Sequence, residues 1–170
     1  MKKISKKTYF LIATLSAICA MPISKACANS VAGVKAEVKN VDIKIHEDLA
    51  EALNLAKKDG KYVLLEISGA DWCPPCQMMR KFVLKTREFI KYAGEKLHVV
   101  VADFDRYGEP KNKKFSAKHK AILEKFDIRG FPTLIIIAPD GTVVDTIVGL
   151  QVRSPQDLIS RIDASTKSKK

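Results

Sequence analysis

The run Tyr62-Val63-Leu64-Leu65-Glu66-Ile67-Ser68-Gly69-Ala70-Asp71-Trp72-Cys73-Pro74-Pro75-Cys76 decides the fold. Tyr62 to Ile67 is mostly apolar, the pattern of a strand covered on both faces. Ser68-Gly69-Ala70 reads as a turn, and from Pro75 a helix is expected to carry Met78, Met79, Phe82 and Val83. Two cysteines therefore stand where a buried strand gives way to a helix. The first N–H groups of a helix lack partners and its dipole is positive there, and both favour a thiolate over a thiol. Cys73, at the mouth, is expected to have a lowered pKa and to act as the exposed nucleophile. Cys76, within the first turn, is the expected resolving thiol, close enough to form a disulfide with Cys73. Pro74 and Pro75 suit a first turn, where the N–H groups they lack would have had no partner.

Two plainer readings of the pair stay open beside this one. A structural disulfide is one, although a ring this small is reducible rather than a long stabilising staple. Half of a zinc site is the other. Zinc commonly takes four ligands in two close pairs, whereas only scattered His46, His98 and His119 accompany Cys73 and Cys76 in the expected mature chain. These histidines read as surface or helix-end residues without a catalytic part.

Outward from that run, Val41, Ile43 and Ile45 alternate with polar residues as in a short strand. Asp48 to Lys58 places Leu49, Ala52, Leu53 and Ala56 on one helical face, and Asp59-Gly60 stops that helix. Thr86 is the expected cap of a helix over Arg87–Glu95, and Leu97–Phe104 reads as another buried strand. The Lys-rich stretch that follows is expected to be a loop entering a helix near Ala117–Phe126. Thr133–Ile137 and Thr142–Val148 form a hairpin around Pro139-Asp140-Gly141. Ser154 caps a last helix whose apolar face is Leu158, Ile159 and Ile162. Apolar strands alternating with amphipathic helices imply an α/β domain with a mixed sheet between helices.

The chain has 170 residues, 46% hydrophobic and 29% charged, with four Cys and a formal charge of +11. One domain suffices for that length, and the apolar content excludes global disorder. Residues 1–28 are expected to be a cleaved secretory signal. Lys2, Lys3, Lys6 and Lys7 precede the apolar run Tyr9–Met21, and Ala26-Cys27-Ala28 offers small residues for the cut. That run has 13 residues, against the roughly 20 needed to cross a bilayer, so a permanent anchor is not expected. A cut after Ala28 takes away five lysines together with Cys19 and Cys27. What remains is +6, with Cys73 and Cys76 as the only cysteines. Ser24-Lys25-Ala26 also fits, and a cut there would leave Cys27 at the new N-terminus. Residues 29–40 are an expected flexible lead-in, 41–163 the folded domain and 164–170 a disordered tail. The Lys111–Lys120 cluster reads as a solvated face. It lacks interleaved aromatics and any binding motif, so nucleic acid is not an expected partner.

Trp72-Cys73-Pro74-Pro75-Cys76 resembles the Trp-Cys-x-x-Cys active site of thioredoxin-like proteins. Ile128-Arg129-Gly130-Phe131-Pro132-Thr133 resembles the family's Gly-x-Pro-Thr segment, whose proline is cis, and Val148-Gly149-Leu150 resembles its glycine after the last strand. The resemblance covers Val41 to Ile162. It implies the thioredoxin-like three-layer fold, a central mixed β-sheet flanked by helices on both faces. It also implies that Pro132 lies over Cys73, that backbone beside Phe131 pairs with an extended substrate segment, and that Trp72 and Gly149 line the same surface. The family keeps a buried acid as proton acceptor for the resolving thiol, and Glu66 is the nearest candidate. Glu66 stands one residue further from Cys73 than the family pattern, a difference the Ser68-Gly69-Ala70 turn is expected to absorb. In an apolar strand its pKa would be raised, suiting proton transfer. Val100 and Val101 fill the place of the family's lysine partner to that acid. The Arg106–Lys118 stretch is longer than in a minimal thioredoxin.

These features together imply an exported, periplasmic or secreted, thiol-disulfide oxidoreductase that needs no cofactor or metal. As a reductase it would act on protein disulfides and recover electrons from a membrane or soluble relay partner, working as a monomer. No histidine lies between the cysteines, which favours reduction over the reverse direction. The alternatives are a disulfide oxidase or isomerase, and a non-catalytic thioredoxin-like binding module.

Overall fold

β2 (Tyr62–Ser68) is the middle strand of a five-stranded sheet ordered β1-β3-β2-β4-β5. It runs parallel to β3 (Leu97–Asp103) and antiparallel to β4 (Thr133–Ile137). β1 (Ile45–His46) adds parallel to β3, and β5 (Val143–Val148) adds antiparallel to β4. This architecture comes from a computed structural model that describes residues 43–167. The expected signal segment, the lead-in, Val41 and Asp42 of the expected domain, and residues 168–170 lie outside the described residues.

The continuous apolar run in β2 follows from its position. Successive strand residues point to opposite faces, so Leu64 faces one cluster and Val63, Leu65 and Ile67 face another. The first cluster holds Met79, Val83, Phe89, Leu134, Ile136, Leu158 and Ile162. Its helical residues come from α2 (Pro74–Met79), the π-helical turn Arg80–Leu84, α3 (Arg87–Lys96) and α5 (Pro155–Lys167). The second cluster gathers Ala52 and Ala56 of α1 (Leu49–Asp59), Ile122 of α4 (Ser116–Lys125), Phe104, Ile135 and Ile137. Helices therefore cover both faces of the mixed sheet. Burying each such Leu or Ile contributes about 1.5–3 kcal/mol, so both faces favour this placement of β2.

Local signals set the helix ends. The Asp48 carboxylate accepts from the Ala50 amide at 3.0 Å to start α1, and Gly60 closes it at a φ of 75°. Thr86 starts α3 by accepting from the Phe89 amide at 3.3 Å.

The structure corrects several boundaries. Only Ile45 and His46 pair with β3, so Ile43 lies ahead of the strand. The helix after Pro74 widens into a π turn at Arg80, which apolar spacing does not reveal. A 3₁₀ turn at Lys113–Phe115 leads into α4. α5 continues to Lys167, so residues 164–167 are helical rather than tail. Ser165 explains part of that extension, because its hydroxyl donates to Asp145 on β5 at 3.1 Å. His46 and His119 are buried instead of superficial. His119 lies between the Phe104 and Phe115 rings, with Nε2 2.8 Å from the Glu47 carbonyl oxygen.

Candidate active site

Backbone geometry at the end of β2 builds the mouth of α2. The Gly69 carbonyl accepts from the Trp72 and Cys73 amides at 3.1 and 2.8 Å, turning the chain sharply. The Asp103 carboxylate holds the turn by accepting from the Ala70 amide at 2.8 Å. Lys111 braces the same region, reaching Asp103 at 3.1 Å and Asp71 at 2.6 Å. One member of the expected solvated lysine face thus has a structural task.

Cys73 is the N-cap of α2, and its Sγ accepts from the Cys76 amide at 3.3 Å. The two cysteines form a disulfide with Cα atoms 5.3 Å apart. Cys76 is fully buried, and Cys73 is only 3% exposed, which corrects the expectation of an open nucleophile. The physical reason is that the Cys73 sulfur is turned into the helix mouth, bonded to Cys76 and accepting its amide.

Trp72 is half-buried and donates its indole N–H to the Phe104 carbonyl at 2.9 Å. Its ring meets Phe131 edge-on at 5.8 Å, and Phe131 stacks on Phe104 at the same separation. This aromatic chain brings the segment before β4 beside the disulfide. The Phe131–Pro132 peptide bond is cis. The Pro132 carbonyl accepts from the Gly149 amide at 2.8 Å, and Gly149 has a φ of 71°, a conformation glycine adopts without a Cβ penalty. Trp72, Cys73, Phe131, Pro132 and Gly149 thus converge where β2 and β5 end and β4 begins. Beside them the exposed Met78 and Phe82 border an apolar groove of about 340 Å³ that continues to Leu150, Val152 and Arg153.

Glu66 lies on the same face of β2 as Leu64, and it is 4% exposed, so its carboxyl does not reach solvent at the strand end. Arg80 Nε donates to Glu66 Oε1 at 2.6 Å. Burial raises the Glu66 pKa above the ordinary carboxylate range; the Arg80 charge and hydrogen bonds oppose that rise, and the Asp103 charge adds to it. β3, where the family resemblance implies a lysine, offers Glu66 only Val101 in register. Arg80 comes from the helix side instead, four residues after Cys76, a spacing that puts both on one helical face. Among the described residues no cluster of three or more His, Cys, Asp or Glu could hold a metal ion, and no helix is long and apolar enough to cross a membrane.

A mixed sheet in this strand order, with a Cys-x-x-Cys disulfide at the head of α2 and a cis proline beside it, defines a thioredoxin-like protein. The chain belongs to that family: the thioredoxin-like domain profile matches residues 49–165. It is 34% identical over 96 residues to the disulfide bond reductase DsbH of Chlamydia pneumoniae, covering 56% of this chain and 57% of that protein. It is 29% identical over 137 residues to the thioredoxin-related protein DsbJ of the same organism, covering 81% and 37% of the two chains. The chain thus spans little more than half the length of the first of these relatives and about a third of the second. Among solved structures, a DsbH oxidoreductase superposes with a TM-score of 0.65 at 27% identity, over 74% of this chain and 85% of that one. A thioredoxin from Thermus thermophilus, at 18% identity and a TM-score of 0.56 over 72% and 85% of the chains, shares the fold.

Proposed function

We propose that this protein is an exported thiol-disulfide oxidoreductase that reduces disulfides in other proteins. The observation that carries the reading is the Cys73–Cys76 disulfide at the N-terminus of α2, set beside the cis Phe131–Pro132 bond. In the reduced enzyme the Cys73 thiolate attacks one sulfur of a substrate disulfide. A Cys73–substrate disulfide forms, and the other substrate sulfur leaves as a thiolate. Cys76 then loses its proton to the Glu66 carboxylate and attacks Cys73 Sγ. The 73–76 disulfide forms, the second substrate sulfur departs, and two electrons have passed to the substrate. A relay partner, membrane-bound or soluble, reduces the 73–76 pair to restart the cycle.

During this sequence the backbone beside Phe131 pairs with the extended substrate segment, while Trp72, Pro132 and Gly149 shape the surface that receives it. The similarity to a protein named as a disulfide bond reductase supports the reducing direction. The signal-like residues 1–28 support delivery to the periplasm or outside the cell.

Reduction of insulin in the presence of dithiothreitol tests the reading. Wild-type protein is expected to accelerate precipitation of the insulin B chain, and Cys73→Ser to abolish the acceleration. Equal rates for the two would assign the fold a binding role instead. Equilibration of the 73–76 pair in glutathione buffers tests direction: a potential near that of strong oxidants overturns the reductase assignment.

A further inference from the structure

We propose that Arg80 is a positioning residue for the resolving half-reaction, holding the Glu66 carboxylate ready to take the proton of Cys76. The inference deepens the proposed function and rests on it.

Three observations converge on Arg80. Its Nε donates to Glu66 Oε1 at 2.6 Å, and the side chains are 22% and 5% exposed, so the pair is largely shielded from water. Its backbone N–H bonds to the Cys76 carbonyl, so Arg80 lies one turn beyond the resolving cysteine on the same helical run. It also opens the π-helical turn Arg80–Leu84, an irregularity that alters the direction of side chains following α2 and recurs at functional sites. A largely shielded ion pair adds little net stability, because desolvation consumes most of its gain.

The groups around Glu66 give the pair its sense. Asp103, at the end of β3, is the like charge that opposes ionisation of Glu66. Its carboxylate is itself engaged by Lys111 and the Ala70 amide. Ser68 follows on β2, and Val101 and Leu134 are the in-register neighbours on the flanking strands. Glu47, ahead of α1, and Lys85, at the end of the π turn, line the same cavity of about 460 Å³ as Glu66 and Arg80. Arg80 is the cation in direct contact, at the distance of a charge-assisted hydrogen bond. Without it, burial and Asp103 act unopposed at that contact, and Glu66 holds its own proton to higher pH. The proton then stays on Cys76, whose thiol is a poor nucleophile, and the intermediate persists.

Single-turnover kinetics separate the two halves. Reduced protein is mixed with a fluorogenic peptide disulfide between pH 5 and 9. One signal follows loss of the peptide disulfide as Cys73 attacks; quenched samples analysed by mass follow decay of the mixed disulfide as Cys76 resolves it. Arg80→Met is expected to move the pH midpoint of the second phase upward by about one unit or more, the shift an adjacent opposite charge commonly causes. Arg80→Lys, which keeps the charge and loses the planar fork, is expected to recover most of it. Adding Glu66→Gln to Arg80→Met should produce no further displacement beyond Glu66→Gln alone. A second-phase midpoint in folded Arg80→Met equal to wild type overturns the proposal. If Arg80→Met does not fold, Arg80→Gln carries the same test with hydrogen-bonding capacity retained. Absence of the first phase in wild type overturns the oxidoreductase reading itself, a different result from an unmoved second phase.

Discussion

The Trp72 indole lies directly against Gly69: a Cβ on Gly69 would stand 2.5 Å from the ring, closer than side-chain carbons approach. Glycine here is a matter of space, and the space is used to aim the indole N–H at the Phe104 carbonyl. Gly69→Ala must therefore push the ring off its seat and break that hydrogen bond. The expected cost is about 1–3 kcal/mol, as for overpacking elsewhere, with insulin reduction several-fold slower. Trp72 is the only tryptophan, so its fluorescence reports the displacement without interference. An unaltered emission spectrum together with an unaltered urea midpoint would show that the turn accepts the methyl group.

The cap geometry of α2 makes the two cysteines unequal once reduced. Cys73 stands at the head of the helix, where the Cys76 amide points at its sulfur, whereas Cys76 is fully enclosed. Alkylation of the reduced protein with iodoacetamide at pH 7 is expected to modify Cys73 at least about tenfold faster than Cys76, since a helix head favours the thiolate form at Cys73 once the disulfide is opened. Peptide mapping reads the ratio directly. Labelling of Cys76 first would reverse the assignment of attacking and resolving thiols, and equal labelling would show that the cap does not distinguish them.

β5 is held to α5 by Asp145, whose carboxylate accepts from Arg161 Nε at 2.7 Å and a terminal guanidinium N–H at 3.0 Å, and from Ser165 at 3.1 Å. The Arg161 hydrogen bond is the largest influence holding the Asp145 carboxyl below its ordinary range. A folded pKa below the unfolded one gives stability that is complete above the unfolded value, about 3.9, and is lost as pH falls through the folded value. Asp145→Asn is therefore expected to cost about 1–2 kcal/mol at pH 7, a figure reduced for partial exposure. The difference from wild type should narrow below about pH 4. Urea unfolding at pH 7 and pH 3 measures both numbers, and a gap that stays constant across that range would exclude the ion pair as its source.

How far the sequence spoke for itself depends on the range of the interaction. β4 is legible residue for residue, because Thr133–Ile137 is buried on both faces and nothing polar interrupts it. Thr86 is legible as a cap because capping acts within three residues. Trp72, Cys73, Pro132 and Gly149 stand out as motif residues, yet their convergence depends on three strand ends meeting, through the Ile67–Thr133 and Thr133–Val148 registers. Arg80 and Lys111 were beyond reach for the same reason. Each is an ordinary surface residue type whose partner lies elsewhere in the chain, Glu66 fourteen positions before Arg80 and Asp71 forty before Lys111. The buried state of His46 and His119 escaped as well, since a histidine in a polar stretch carries no sign of the aromatic and backbone groups that enclose it.

His46 supplies a pH dependence of opposite origin to that of Asp145. It is buried beside His98, whose ring centroid lies 5.5 Å away, and Glu51 stands 3.7 Å from its Nδ1. Burial is the leading cause that holds its pKa below the ordinary 6.5, with the Lys44 charge adding to the effect and Glu51 opposing it. The folded protein thus binds fewer protons at His46 than the unfolded chain does in this range. Stability must then rise with pH across that window and fall as the pH drops through about 6.5 toward the lowered folded value. Thermal unfolding should show a lower midpoint at pH 5 than at pH 7.5. His46→Phe removes the titration while keeping an aromatic ring in the site, so its midpoint should change less over the same interval. If the two proteins lose the same number of degrees between pH 7.5 and 5, the acid sensitivity originates elsewhere in the molecule.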